Sequence, residues 1–177
     1  NNPTLKYRTD LVFYTLEEPP SYDTPNMGSF RHAKSLRDSS IDVKAMVCLE
    51  MIGYFSDKPK SQEYPVGLLK LFYPNKANYI AVVGKLGQGS LVRKVKRTMK
   101  KGCDIDVRSI NAPKFIPGID FSDHRSYWQF DYEAVMITNT AFYRNKNYHQ
   151  PGDKPETLDY LRMAEVIKGA YAVVCGF

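Results

Sequence analysis

Short apolar runs alternate with stretches of helical periodicity along most of this chain. The apolar runs, each bounded by charged or turn-forming residues, predict buried strands at 10–16, 43–49, 79–83, 104–110 and 134–138. Apolar positions at helical spacing predict helices at 30–36, 90–101, 125–130 and 159–174. Ser29 stands where it can act as the N-cap of the first of these helices. Residues 56–78, interrupted by Pro59, Pro65 and Pro74, predict a long irregular connection of the kind that often carries function.

This order of elements predicts a single α/β domain over residues 1–177. A length of 177 residues with 43% hydrophobic content is enough for one domain with a substantial core. Because the strand runs are continuously apolar, both faces of the sheet should be covered. We therefore expect a three-layer α/β/α fold with a central mixed, mostly parallel sheet. The broadly apolar helix at 159–174 should pack flat on that sheet.

The net charge of +6 is concentrated in the predicted helix at 90–101. Its apolar residues recur at helical spacing, so the basic residues fall on the opposite side and form the solvated face of an amphipathic helix. No aromatic residues are interleaved with them and no binding motif is present, so we expect no nucleic-acid partner. The sequence has no run of about 18 apolar residues, which predicts no transmembrane helix and no membrane partner.

Acidic and imidazole side chains follow three of the predicted strands. Adjacent side chains on an extended chain point to opposite sides, so in Glu17-Glu18 one carboxylate can bind a metal while the other acts as general base towards a bound water. A solvated loop is the alternative interpretation of this pair. Glu50 ends the second strand among apolar neighbours, where a carboxylate would require a partner, and His149 lies in the loop after the fifth strand. The alternatives are that Glu50 is an ordinary strand-end residue and that His149 is a polar loop residue. The carboxyl ends of strands meet at one edge of such sheets, and oxygen and nitrogen ligands suit zinc.

A second polar group is formed by Ser122, Asp123 and His124. Asp and His side chains often orient metal ligands by hydrogen bonding to them without binding the metal, so Asp123 and His124 are candidates for this role. A serine-hydrolase triad is disfavoured because no Gly-x-Ser-x-Gly elbow is present. His32 lies in a predicted helix and is expected to be structural. The glycine-containing segment 84–89 matches neither common phosphate-binding pattern.

Taken in order, six segments resemble the catalytic domain of the co-catalytic zinc aminopeptidases. This family includes secreted bacterial leucine aminopeptidases and, more distantly, glutaminyl cyclases. The segments are Leu16-Glu17-Glu18-Pro19-Pro20, Met27-Gly28-Ser29 with His32-Ala33, Leu49 to Phe55, Ser122-Asp123-His124, Thr140 to Asn145, and Tyr148 to Asp153, and the match closes with the terminal helix.

The resemblance implies a zinc metallopeptidase with a peptide substrate and two zinc ions. Glu17 would be the general base. Glu18 and His149 would bind one zinc ion, and Glu50 the other. Ser122, Asp123 and His124 would lie just outside the metal ligands and orient them. The loop from Phe142 to Tyr148, with Phe142 and Tyr143, would form a wall of the substrate pocket. The resemblance also favours a periplasmic or secreted location.

One part of the family pattern is missing from this sequence. In the family, a His-x-Asp motif and a later Asp that bridges both metals precede the Glu-Glu pair. This chain begins 16 residues before Glu17 and contains no His-x-Asp. We therefore expect it to correspond to the C-terminal portion of such a domain, without the N-terminal strands, and to be inactive by itself. The missing N-terminal part would be its partner. A non-catalytic binding domain on the same scaffold and a glutaminyl-cyclase-like acyltransferase with one zinc are the alternatives.

Overall fold

A single mixed sheet organises the chain. The computed structural model describes residues 5–177. Within them the strands are β1 (Met46–Glu50), β2 (Tyr79–Lys85), β3 (Asp106–Ala112) and β4 (Ala134–Thr138). Their order across the sheet is β1-β4-β2-β3. The pairs β1–β4 and β2–β3 are parallel, and β2 runs antiparallel to β4. The carboxyl ends of β1 and β4 therefore lie at the same edge of the sheet as the amino ends of β2 and β3.

Helices cover both faces of this sheet, which confirms the predicted three-layer fold. They are α1 (Gly28–Asp38), α2 (Gly89–Gly102), α3 (His124–Gln129) and α4 (Tyr160–Cys175). Short 3-10 helices lie at Gly67–Leu71, Ala141–Tyr143 and Pro155–Thr157. Helices α1 and α3 pack together on one face, and α2 and α4 pack together on the other. None of the described helices is long and apolar enough to cross a membrane.

The alternation of side chains along β2 builds two separate cores. Ile80 and Val82 face α2 and α4, while Tyr79, Ala81 and Val83 face α1 and α3. On α2 the apolar positions are buried and the basic positions lie outside, as the periodicity predicts. A Cβ on Gly84 would lie 2.5 Å from Val92 Cγ2, so β2 can approach α2 this closely only with glycine here.

The strand predicted at 10–16 is wrong. These residues form no strand, and the side chains of Leu11 and Phe13 are 85% and 96% exposed. Their apolar pattern suits a strand, but a strand is stabilised by hydrogen bonds to a neighbour, and no described strand pairs with this segment. Tyr14 alone among residues 11–16 turns its side chain inward.

The predicted N-cap is also wrong. Met27 occupies the N-cap position of α1 without a capping side chain, and Ser29 lies one residue inside the helix. The buried Ser29 hydroxyl instead lies 2.9 Å from the hydroxyl of Ser126, which joins α1 to α3. A polar side chain near a helix start therefore serves the contact between two helices rather than the free amides of its own helix.

Several large apolar side chains remain exposed on β1, on α4 and on the segment before Glu17. Leu49 on β1 is 47% exposed, and on the outer face of α4 Leu161, Ile167 and Tyr171 are more than half exposed. Leu11 and Phe13 add to this set. We call these six side chains the apolar surface.

Candidate functional site

The predicted site residues meet at one edge of the sheet. Glu50 is the last residue of β1 and pairs with Thr138, the last residue of β4. Thr138 in turn pairs with Ala81 near the start of β2. The segment carrying Glu17 and Glu18 reaches this edge, because the charge of Glu50 acts on Glu17 and that of Glu18 acts on Glu50. The loop after β4 meets it there, because His149 Nε2 lies 3.2 Å from Glu18 Oε1. The His149 ring is also stacked on Tyr148, with ring centroids 3.9 Å apart.

Left-handed backbone conformations accompany each predicted metal ligand. Leu16, two residues before Glu18, has φ 62°, Met51, directly after Glu50, has φ 46°, and His149 itself has φ 57°. Thr140 and Ala141 at the start of the pocket loop are left-handed as well. Each such conformation costs a residue with a side chain about 1–2 kcal/mol. Strained backbone of this kind is typical of functional sites, where the surrounding structure holds it in place.

Glu50 is held by Ser122, which lies just before α3. The buried Ser122 hydroxyl donates to Glu50 Oε2 at 2.7 Å and lies 3.2 Å from Cys48 Sγ. Burial raises the pKa of Glu50, the Ser122 hydrogen bond opposes this, and the nearby charges of Asp123 and Glu18 raise it further. His149 acts in the lowering direction. Glu50 is therefore an acidic group in an acidic, partly desolvated environment.

Glu17 has the electrostatics of a general base. Its side chain is half-buried, and burial is the main cause that raises its pKa to about 7, followed by the charges of Glu50, Glu18 and Asp123. A carboxyl group that titrates near neutrality can both accept and return a proton. Four carboxylates act on one another here, with His149 as the nearby imidazole, so the site carries the excess negative charge that a divalent cation would offset.

Asp123 and His124 have different surroundings. Asp123 is partly buried, burial raises its pKa, and one of its oxygens is buried without a hydrogen-bond partner among residues 5–177. His124 is fully buried, and burial lowers its pKa to about 4, so its ring is neutral. Its Nε2 donates to the carbonyl of Ile119 at 2.8 Å and its ring packs edge-on against Trp128. His124 thus contacts none of the predicted ligands, whereas Ser122 does.

A cavity of about 90 Å³ opens beside Glu50. Phe142 and Tyr143 line it, together with aromatic rings from other segments: Tyr64, Tyr73, Tyr79, Phe121 and Tyr148. Several of these phenol groups already have acceptors, since the hydroxyls of Tyr64, Tyr73 and Tyr143 donate to the backbone carbonyls of Pro74, Ser109 and Pro117. The cavity therefore presents mainly apolar ring surface next to Glu50.

Gln62 and Arg144 support this cavity and were not identified from the sequence as site residues. Arg144 is buried, and its Nε donates to Gln62 Oε1 at 2.9 Å. Its Nη1 donates to the carbonyl of Tyr79 at 2.9 Å. Arg144 thereby ties the irregular segment 56–78 and the start of β2 to the loop after β4. The only sequence signal was indirect, because that segment was expected to be functional and Arg144 lies in a segment that carried the family resemblance.

The donor set fits zinc in chemical type but not in number. Carboxylate oxygens and imidazole nitrogen are ordinary zinc ligands, and the excess negative charge favours a cation. However, no cluster of three His, Cys, Asp or Glu side chains within residues 5–177 is arranged to hold a metal ion. Glu18 and His149 contact each other, whereas Glu50 contacts Ser122 and would be a single ligand for a second ion. A tight zinc site requires further ligands beyond these.

Several solved structures share the fold of this chain. The LapA aminopeptidase of Legionella pneumophila superposes with a TM-score of 0.60 and 22% identity, over 84% of this chain and 35% of LapA. LapB of the same organism gives a TM-score of 0.60 at 16% identity, over 84% of this chain and 35% of LapB. At these identities the likeness establishes a shared α/β fold.

Sequence comparison identifies the family. Residues 1–174 match the model of Peptidase family M28, so the chain belongs to this family. The uncharacterized protein YfbL of Escherichia coli (strain K12) is 48% identical over 169 residues. That alignment covers 96% of this chain and 51% of YfbL, so the chain spans about half the length of this relative.

Proposed function

We propose that this chain supplies the general base and part of the metal-ligand set of a zinc-dependent aminopeptidase. The observation that carries the proposal is Glu17, whose pKa is raised to about 7 by burial and by three neighbouring carboxylates. One of these carboxylates, Glu50, lines the apolar cavity. Membership of Peptidase family M28 supports a peptidase. Glu18 and His149 would hold one zinc ion and Glu50 the other.

Glu17 has the central part in the proposed reaction. Zinc, when bound, lowers the pKa of a coordinated water and polarises a carbonyl group. Glu17 takes a proton from the attacking water on a carboxylate oxygen and returns it to the leaving amine. The Ser122 hydrogen bond holds Glu50 in a fixed orientation, and the stacked Tyr148 ring limits the movement of His149.

Charge and shape favour the amino end of a peptide as substrate. A free α-amino group is cationic and is attracted by the carboxylates of Glu17, Glu18 and Glu50, whereas a C-terminal carboxylate is repelled by them. The cavity beside Glu50 presents aromatic rings to the side chain of the first residue. We propose an apolar N-terminal residue as the preferred substrate.

The remaining ligands would come from polypeptide outside this chain. We propose that a segment corresponding to the part of YfbL that this chain does not span completes the metal ligands and covers the apolar surface. Exposed apolar area of this kind is typical of a surface that another polypeptide covers. The 177-residue chain by itself is then expected to be inactive.

The second candidate is a non-catalytic peptide-binding domain. It is favoured by the absence of a three-ligand metal cluster within residues 5–177. In this interpretation the cavity and carboxylates bind an N-terminal residue without hydrolysing the next bond.

A chimera separates the two candidates. The part of YfbL that the chain does not span is fused to these 177 residues, and zinc content and hydrolysis of leucyl-anilide are compared with those of the chain alone. We expect the chimera to bind two zinc ions and hydrolyse the substrate, and Glu17→Gln in the chimera to abolish turnover while zinc content is unchanged. A folded chimera that binds leucinamide, but does not bind zinc and does not hydrolyse leucyl-anilide, would favour the binding domain.

A further inference from the structure

The segment that carries the carboxylate pair has no strand to hold it. Along residues 11–18 only Tyr14 and Glu17 are turned inward, while Leu11, Phe13 and Leu16 are exposed. Here the placement of Glu17 must come from other contacts.

A triangle of hydrogen-bonding groups fixes Tyr14. Its hydroxyl oxygen lies 2.8 Å from His32 Nδ1 and 2.7 Å from the Tyr127 hydroxyl, and Tyr127 is in turn 3.0 Å from His32 Nδ1. His32 belongs to α1 and Tyr127 to α3, two helices that pack together. The Tyr14 hydroxyl is therefore located by two atoms on a rigid pair of helices. We call these three residues the Tyr14 triangle.

Few backbone contacts supplement the triangle on either side of Glu17. The Gly28 amide donates to the carbonyl of Thr15 at 2.9 Å. The amides of Ser21 and Tyr22 donate to the carbonyl of Glu18 at 3.1 Å each. The triangle fixes Tyr14 three residues before Glu17, and a turn holds the chain after Glu18, so a shift of the chain at Tyr14 should displace Glu17.

We propose that Tyr14 is the positioning residue for Glu17, with His32 and Tyr127 as its anchors. The inference rests on the proposed role of Glu17 as general base. Such a base has to be held within about 0.5 Å of its working geometry, and a shift of about 1 Å lowers turnover by about a hundredfold. Tyr14 does not touch the reacting atoms in this scheme; its hydroxyl fixes the chain that carries them.

The test uses the metal-free 177-residue chain, with Tyr14→Phe and His32→Phe compared against Tyr132→Phe. The control removes a hydroxyl that donates to the Ile41 carbonyl at 3.0 Å, in the same core as Tyr127. Amide hydrogen exchange is measured at Gly28, Ser21 and Tyr22, whose acceptors flank Glu17, and at Val82 in the sheet. We expect about tenfold faster exchange at the three flanking amides in both triangle variants, and less than twofold change at Val82. Tyr132→Phe should leave the flanking amides within twofold.

Kinetics in the zinc-loaded chimera provide a readout that a merely structural role would not change. Tyr14→Phe should lower kcat at least tenfold with KM unchanged, and Tyr132→Phe should change neither. Unchanged exchange at Gly28, or equal acceleration at Val82, would overturn the proposal. If the chimera shows no hydrolysis at all, the proposed function fails, while the exchange rates still decide whether Tyr14 places the Glu17 segment.

Discussion

Strand β2 and residues 10–16 have similar apolar sequences and opposite structures. Residues 79–84 of β2 are all buried, paired with a strand on each side and covered by helices on both faces. Residues 10–16 are mostly exposed and pair with no described strand. The difference indicates that an apolar run becomes a strand only where a neighbouring edge and a covering layer meet it.

The largest expected difference between the two regions is in the cost of losing an apolar side chain. Ile80→Ala should lower the free energy of unfolding by about 3 kcal/mol, because the side chain is fully buried between β2 and the helices. Phe13→Ala should change it by less than about 0.5 kcal/mol in the isolated chain. Urea denaturation of both variants measures this. If both substitutions lowered the free energy of unfolding equally, the side chain of Phe13 would have to be packed against another part of the chain in solution.

The loop after β4 sharpens the comparison, because it lacks strand structure but is anchored by buried side chains. Arg144→Met should cost about 2 kcal/mol, since it removes hydrogen bonds to Gln62 and to the Tyr79 carbonyl. Lys146→Met is the matched control, because the exposed Lys146 pairs with the exposed Glu63 at the surface, and it should leave the midpoint nearly unchanged. Urea denaturation midpoints of the two variants test this, and similar values would contradict the anchoring role of Arg144.

The pH dependence of the free energy of unfolding tests the environment of Glu17, which directly follows residues 10–16. Because the folded chain raises the pKa of Glu17 from 4.5 to about 7, it binds more protons than the unfolded chain in this window. The free energy of unfolding of the metal-free chain should therefore fall as the pH rises from about 4.5 to about 7. Glu17→Gln should weaken this fall without abolishing it, because the pKa of Glu50 and that of Asp123 are also raised.

Denaturation midpoints at pH 5 and pH 8 measure the effect. Added zinc should increase stability at pH 8 more than at pH 5, because metal binds the ionised carboxylates. A wild-type chain that is more stable at pH 8 than at pH 5 without metal would contradict the acidic environment of Glu17.

The smallest expected effect concerns the left-handed residue before the carboxylate pair. Leu16→Asn should raise stability by about 0.5 kcal/mol, because asparagine adopts φ 62° at lower cost than leucine and the side chain is largely exposed. Leu11→Asn, which lacks this conformation, should give no gain. Thermal denaturation of the two variants is the measurement, and equal changes would argue against strain at Leu16.

Most of the fold could be predicted from periodicity. The strand at 134–138 was predicted with its observed bounds, and the long helices α2 and α4 lie within one residue of their predicted bounds. The strand predicted at 104–110 begins and ends two residues later in the structure. These elements carry their own signal because each buries its apolar face within the chain, whereas residues 10–16 depend on a neighbour.

The candidate site was predictable in residue type and not in contacts. The sequence singled out Glu17, Glu18, Glu50 and His149, and the structure brings them to one edge of the sheet. The sequence did not predict the hydrogen bond from Ser122 to Glu50, the Tyr14 triangle, or the aromatic rings that Tyr64 and Tyr73 contribute to the cavity. These contacts join residues far apart in the chain, and no local pattern encodes such distances.

The sequence by itself determined the layered α/β architecture, the basic outer face of α2 and the family to which the chain belongs. Hydrophobic periodicity and ordered motifs are local properties, and they persist in a single sequence. Only the tertiary structure decided that residues 10–16 remain outside the sheet, and that burial together with neighbouring carboxylates raises the pKa of Glu17 to about 7. Strand pairing and desolvation depend on what other segments bring alongside, so folding settles both.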